Sequence, residues 1–195
     1  LHLSLRRQRQ MCIRDRKKSL EEQGVSQEEL DALNSVNFYY TENAPESGTT
    51  GQRANSNQKA NKAVKQSYLF SCFCGLRISD IIGLRWKDVF VDRGQYRLAV
   101  SMQKTKEPIY LPLSPEALKW MPERGDKMAE DHVFDLPSPT MINLLLKPWA
   151  KAAGIDKRFS FHTARHTFAT MMLTLGADLY TCLLYTSDAA DEGLG

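Results

Sequence analysis

The chain has 195 residues, 42% hydrophobic and 25% charged, a length that favours one domain around one sizeable core. It contains no run of about 18 apolar residues able to span a bilayer, which excludes a membrane-spanning helical protein. Lys and Arg total 26 against 23 Asp and Glu, a net charge of +3 that permits an acidic partner without announcing one.

Residues 1–16 (LHLSLRRQRQMCIRDR) show neither helical nor strand periodicity matching what they flank, and the same holds for residues 182–195 (CLLYTSDAADEGLG). Both resemble translated sequencing-adapter read-through, so they are expected to be non-native tails around a domain at 17–181. The first tail carries +4 and the last −3, which leaves the interpreted segment at +2.

Ser26-Gln27-Glu28-Glu29 has the form of a capping box and predicts the start of a short helix carrying Leu30 and Leu33. Residues 41–62 are polar and rich in Gly, Ser, Asn and Thr, and read as a flexible loop leading into a helix. From Ala63 to Leu76, the residues Val64, Tyr68, Leu69, Cys72 and Phe73 recur at spacings of three and four, which places one helical face on the core until Gly75 ends it. Four cysteines without a secretory signal suggest a reducing, cytoplasmic setting. Cys72 and Cys74 lack a matching His or Cys pair and are expected to be buried thiols rather than metal ligands.

A helical turn is predicted over Ser79–Leu84, after which the pattern becomes alternation. Tyr96, Leu98 and Val100 alternate with Arg97 and Ala99, and Ile109, Leu111 and Leu113 with Tyr110 and Pro112. The polar turn Gln103–Glu107 joins them into a β-hairpin with lysines at its tip. Ser114 and Pro115 open a helix through Trp120. A further helix is expected over Thr140–Ala153, kinked or interrupted by Pro148 and ended by Gly154. The last begins near His162, carries Phe168, Met171, Met172 and Leu175, and breaks at Gly176. The expected fold is α+β, mainly α, with helices packed around a small antiparallel β-sheet.

Four pieces occur in order: Gly75-Leu76-Arg77-Ile78-Ser79-Asp80, the lysine-tipped hairpin, His162-Thr163-Ala164-Arg165-His166, and Gly176-Ala177-Asp178. Singly each is weak, because a His and an Arg three residues apart simply share a helical face. Together they resemble the catalytic domain of tyrosine recombinases of the phage integrase type. GLRISDIIGLRWKDV is similar to that family's first arginine box and HTARHTFAT to its second. The resemblance spans nearly all of residues 24–181.

It implies a DNA strand breakage and rejoining enzyme acting through a 3′-phosphotyrosyl intermediate, without metal, cofactor or nucleotide. The chemistry asks for such residues independently. Transesterification concentrates negative charge on the non-bridging phosphate oxygens, and arginine binds phosphate bidentately while staying protonated. Arg77 and Arg165 are assigned to that clamp. Asp80 orients Arg77 or caps the short helix. Lys104, with Lys106 as second choice, would protonate the departing 5′ oxygen. His162 would hydrogen-bond the phosphate or help deprotonate the nucleophile, and His166 is expected to be structural.

In this family the helix after the Gly-Ala-Asp piece runs on to a Leu-Gly-His motif and then to the tyrosine nucleophile. No Gly-His pair follows Cys182. Tyr180 falls too early and Tyr185 lies in the adapter-like tail, so the nucleophile is expected to be missing and the fragment inactive. Double-stranded DNA is the implied partner, with the full-length parent a tetramer on it, bacterial or phage-borne. A non-catalytic DNA-binding protein of the same fold, or a helical interaction domain, is the alternative. The latter predicts Arg77 and Arg165 far apart.

Overall fold

A computed structural model of the chain describes residue 15 and residues 18–36, 51–101 and 108–177. A helical segment over 18–23 leads into α1 (Gln27–Ser35), followed by α2 (Gly51–Cys74) and α3 (Ile78–Gly83). A 3-10 turn at Trp86–Asp88 enters β1 (Val89–Asp92), β2 (Gln95–Ser101) and β3 (Pro108–Pro112). Helices α4 (Pro115–Trp120), α5 (Pro139–Ala152) and α6 (Phe161–Thr174) complete the described fold. Among the described residues, no helix is long and apolar enough to cross a membrane.

Helix α2 is the axis of the core. Its Tyr68 is fully buried and meets Phe159 at 5.0 Å, Trp149 at 5.6 Å and Phe161 at 5.8 Å between ring centroids. Val64, Leu69 and Cys72 share its buried surface as the spacing of three and four predicts, Phe73 is only partly buried against it, and Phe70, outside that spacing, is buried as well. The helix begins at Gly51, twelve residues before the expected start at Ala63, so 51–62 is helical and not loop. Gln, Arg, Lys and Ala in that stretch are good helix formers, and each added residue extends an existing nucleus at little cost.

The sheet has order β1-β2-β3, entirely antiparallel. The hairpin expected between β2 and β3 pairs Leu98 with Leu111 and Val100 with Ile109. A third strand, β1, adds to it through a two-residue turn in which Arg93 (φ 50°) and Gly94 (φ 79°) both take the left-handed conformation. That is the twist a tight hairpin requires. Leu98 is buried, and Val89, Val100 and Leu111 pack with it onto the helices. On the other face, Phe90 and Tyr110 meet edge-on at 5.8 Å across β2.

Helix α5 passes through Pro148 without interruption. The proline deletes one hydrogen bond to the carbonyl four residues earlier. Leu144 and Pro148 both lie on the exposed face, where the freed carbonyl is open to solvent, while Leu146, Trp149 and Ala150 on the other side are buried. Gly154 (φ 75°) then closes the helix: its N–H donates to Lys151 O and that of Ile155 to Ala150 O.

The N-terminal segment is built into this core. Val25 N–H donates to Thr167 Oγ1 (2.8 Å), Thr170 Oγ1 donates to Leu20 O (3.3 Å), and Trp149 Nε1 donates to Leu33 O (3.1 Å). Lys157 Nζ donates both to Gly24 O and to Glu29 Oε2, the latter at 2.7 Å. Burial pushes the Glu29 carboxyl up, yet the hydrogen bonds from Lys157 and Ser26 and the lysine charge outweigh it and hold the group below the ordinary glutamate value. A carboxyl lowered in the folded state contributes stability above its unfolded value, and that contribution is lost as pH falls through the folded one. Lys157→Met is therefore expected to flatten the acid limb of the stability curve as well as lower the plateau. Urea midpoints between about pH 7 and about pH 3 check this; a variant curve parallel to wild type throughout contradicts it.

Candidate active site

The first arginine box is a turn between α2 and α3 held by several backbone hydrogen bonds. Gly75 N–H donates to Ser71 O (2.8 Å), Ser71 Oγ donates to Leu76 O (2.8 Å), and Ile81 N–H donates to Arg77 O (3.0 Å). Asp80 Oδ2 accepts the Arg77 backbone N–H at 3.2 Å. Of the two roles expected for Asp80, the helix cap is thus present in the geometry: it holds the Arg77 backbone at the first position before α3. The Arg77 side chain is half-buried.

The second box is on α6, and it reaches this turn directly. Arg165 is only 7% exposed, and its Nη1 donates to the carbonyl of Gly75 at 2.6 Å, two residues from Arg77. Gly75 takes φ +70°, and a Cβ placed there would lie 2.5 Å from Phe168 Cδ1, so the α6 phenyl ring sits on the glycine itself. A side chain at that position would push the two boxes apart. The Cys74 thiol lies within electrostatic reach of both Asp80 and Arg165. Burial raises it to about 12, helped by Asp80 and opposed by a Leu76 backbone hydrogen bond and by Arg165. It is therefore protonated and inert at neutral pH. Cys72, also buried and free, is pushed up by burial as well, in keeping with the expectation of buried thiols.

His162 is exposed one helical step from Arg165, and its ring meets that of His166 edge-on with centroids 4.5 Å apart. Helix α6 is held in place by its threonines: Thr167 Oγ1 donates to Thr163 O and accepts from Val25, while Thr163 Oγ1 accepts from Ser160 N–H. Gly176 (φ 90°) ends the helix, with Gly176 N–H donating to Leu173 O and Ala177 N–H to Met172 O. Lys104 and Lys106 lie outside the described residues, as do Tyr180, Tyr185 and both adapter-like tails apart from Asp15.

The structure thus brings Arg165 to the turn that carries Arg77, and puts His162 on the same helix as Arg165. Sequence reasoning passed over Ser71 and Thr167, and placed Phe168 on the last helix without assigning it a contact. Ser71 is foreshadowed by its place one turn before Gly75, but nothing in the order of residues marks Phe168 as the side chain that seats there.

A mainly helical domain with a three-stranded antiparallel flank, whose two arginine boxes meet at one turn, has the architecture of a tyrosine-recombinase catalytic domain. The chain belongs to the phage integrase family, whose sequence profile matches residues 50–182. The tyrosine recombinase XerD of Proteus mirabilis is 33% identical over 120 residues, covering 54% of this chain and 37% of that protein. A tyrosine recombinase of Pseudothermotoga lettingae is 31% identical over 113 residues, covering 55% of this chain and 39% of the relative. The chain therefore spans less than two-fifths of these curated relatives. The fold is shared with the XerA recombinase (TM-score 0.55, 21% identity, 85% of this chain and 56% of that one). It is shared too with the XerH site-specific recombinase in a pre-cleavage complex with its difH substrate (TM-score 0.54, 14% identity, 83% of this chain and 45% of that one).

Proposed function

We propose that this chain carries the phosphate-binding half of a site-specific DNA recombinase active site. Arg77 and Arg165 grip the non-bridging oxygens of one DNA phosphodiester from two elements. His162 hydrogen-bonds the phosphate or takes a proton from the nucleophile, and Lys104, with Lys106 as second choice, protonates the departing 5′ oxygen. Asp80 acts through the Arg77 backbone as a positioning residue. The observation that carries this reading is the hydrogen bond from Arg165 Nη1 to Gly75 O, which ties the second arginine box to the first. Separate boxes would leave each guanidinium with a different phosphate.

In the full reaction a tyrosine oxygen attacks phosphorus, the P–O5′ bond breaks, and a 3′-phosphotyrosyl ester preserves the bond energy for rejoining. The parent protein would act as a tetramer on DNA duplexes in the cytoplasm of a bacterial or phage-bearing cell. The tails at 1–16 and 182–195 would be foreign to it, and neither Tyr180 nor Tyr185 would serve as its nucleophile.

Incubation with nicked suicide substrates tests these statements together. Double-stranded DNA is expected to be bound with strong salt dependence and no covalent adduct is expected. An adduct mapped to Tyr180 or Tyr185 would overturn the exclusion of those two tyrosines. Binding that ignores salt and survives loss of both arginines would overturn the site.

A further inference from the structure

We infer that the segment Leu20–Val25, which lies outside the family-matched residues 50–182, is a positioning element for Arg165 and acts through Thr167. Arg165 and Phe168 are the α6 residues that meet Gly75. Thr167 and Thr170 each follow one of them by two positions, about 200° around the helix, and so lie on roughly the opposite side. The segment packs there. Val25 N–H donates to Thr167 Oγ1 at 2.8 Å, and Thr170 Oγ1 donates to Leu20 O at 3.3 Å. Between these bonds Gly24 approaches so closely that a Cβ on it would stand 3.1 Å from Thr170 Oγ1 and 3.3 Å from the His166 carbonyl carbon. Helix α6 is thus seated between two glycines, Gly75 and Gly24, and a shift at one seat displaces the helix on the other.

Thr167 is the joint of this arrangement. Its side chain is fully buried and its hydroxyl acts twice, donating to Thr163 O at 2.9 Å and accepting from Val25. The first bond ties it to its own helix, and the second ties that helix to the segment. Val25 is itself buried, so without this acceptor its N–H is left unpaired away from water, which is unfavourable enough to hold the two elements together. Arg165 depends on the same seating, because its Nη1 reaches Gly75 O from the far side of α6. That Arg165 also grips a DNA phosphate rests on the function proposed above; its placement on Gly75 does not.

Three variants of the full chain test it: Thr167→Val keeps the shape and removes the hydroxyl, Thr167→Ser keeps the hydroxyl, and Gly24→Ala presses on α6 from the segment side. In urea unfolding without DNA, Thr167→Val or Gly24→Ala combined with Arg165→Ala is expected to lose less than the sum of the single losses, because each already loosens Arg165 from Gly75 O. In DNA titrations at several salt concentrations, Thr167→Val and Gly24→Ala are expected to bind about tenfold more weakly. Their salt slope should be shallower by about 0.9, the loss of one phosphate contact, while Thr167→Ser keeps the wild-type slope. Lower stability alone reduces the amount of folded protein and leaves the slope as it is. Additive unfolding losses overturn the proposal. So does a wild-type slope in Thr167→Val and Gly24→Ala when Arg165→Ala makes it shallower. If Arg165→Ala leaves the slope unchanged while the unfolding losses are not additive, the phosphate reading falls and the positioning of Arg165 stands.

Discussion

Gly75→Ala is expected to destabilise the chain by about 3 kcal/mol, the sum of a left-handed backbone penalty for alanine and the displacement of a packed ring. The position has φ +70°, and the new methyl would stand 2.5 Å from Phe168 Cδ1 and 2.8 Å from Cε1. For a chain of this size, a loss of that order lowers the thermal midpoint by roughly 6–12 °C. The double variant Gly75→Ala/Phe168→Leu is expected to recover the steric part and leave the backbone part. Thermal or urea unfolding of the three variants checks it. If the single variant unfolds like wild type, α6 does not bear on Gly75 as described. DNA affinity should fall as well, since the turn that moves also carries Arg77.

Arg165→Ala is the second large effect, and it has two readouts. Removing the guanidinium leaves the Gly75 carbonyl without its charged donor inside the fold, a loss of about 1–3 kcal/mol. If Arg165 also contacts a DNA phosphate, the slope of log affinity against log salt becomes shallower by about 0.9. Arg165→Lys separates the two. Lysine keeps the charge, and with it most of the salt slope, but lacks the planar fork that serves carbonyl and phosphate together, so stability and absolute affinity remain depressed. Equal affinity and slope for all three proteins would remove Arg165 from the phosphate site.

Much of this architecture was legible in the residue order because the signals are local. The capping box at Ser26 is realised: Ser26 Oγ accepts from Glu29 N–H and Glu29 Oε2 accepts from Ser26 N–H. The alternation at Tyr96–Val100 is β2, and the three glycines expected to end helices, Gly75, Gly154 and Gly176, all take positive φ. Errors arose where context outweighed local pattern. Polar residues 51–62 read as loop, yet they extend a helix whose C-terminal half is anchored in the core. Strand β1 was passed over because Val89–Asp92 is only four residues long and depends on the Arg93-Gly94 turn to pair with β2. Pro148 read as a kink or an interruption; the helix is not interrupted, and burial of Leu146, Trp149 and Ala150 holds α5 together across it.

The sequence by itself determined the family and the order of the helices and hairpin, and pointed to the two segments proposed as arginine boxes, since each rests on residue type and short spacing. Only the tertiary structure decided that Arg165 reaches the Gly75 carbonyl, that Phe168 seats on that glycine, and that Val25 and Leu20 brace α6 from outside the family-matched region. These contacts join residues 90 to 150 positions apart. Periodicity and capping report forces within a few residues, whereas which distant side chains meet is set by how the helices pack around the Tyr68 core.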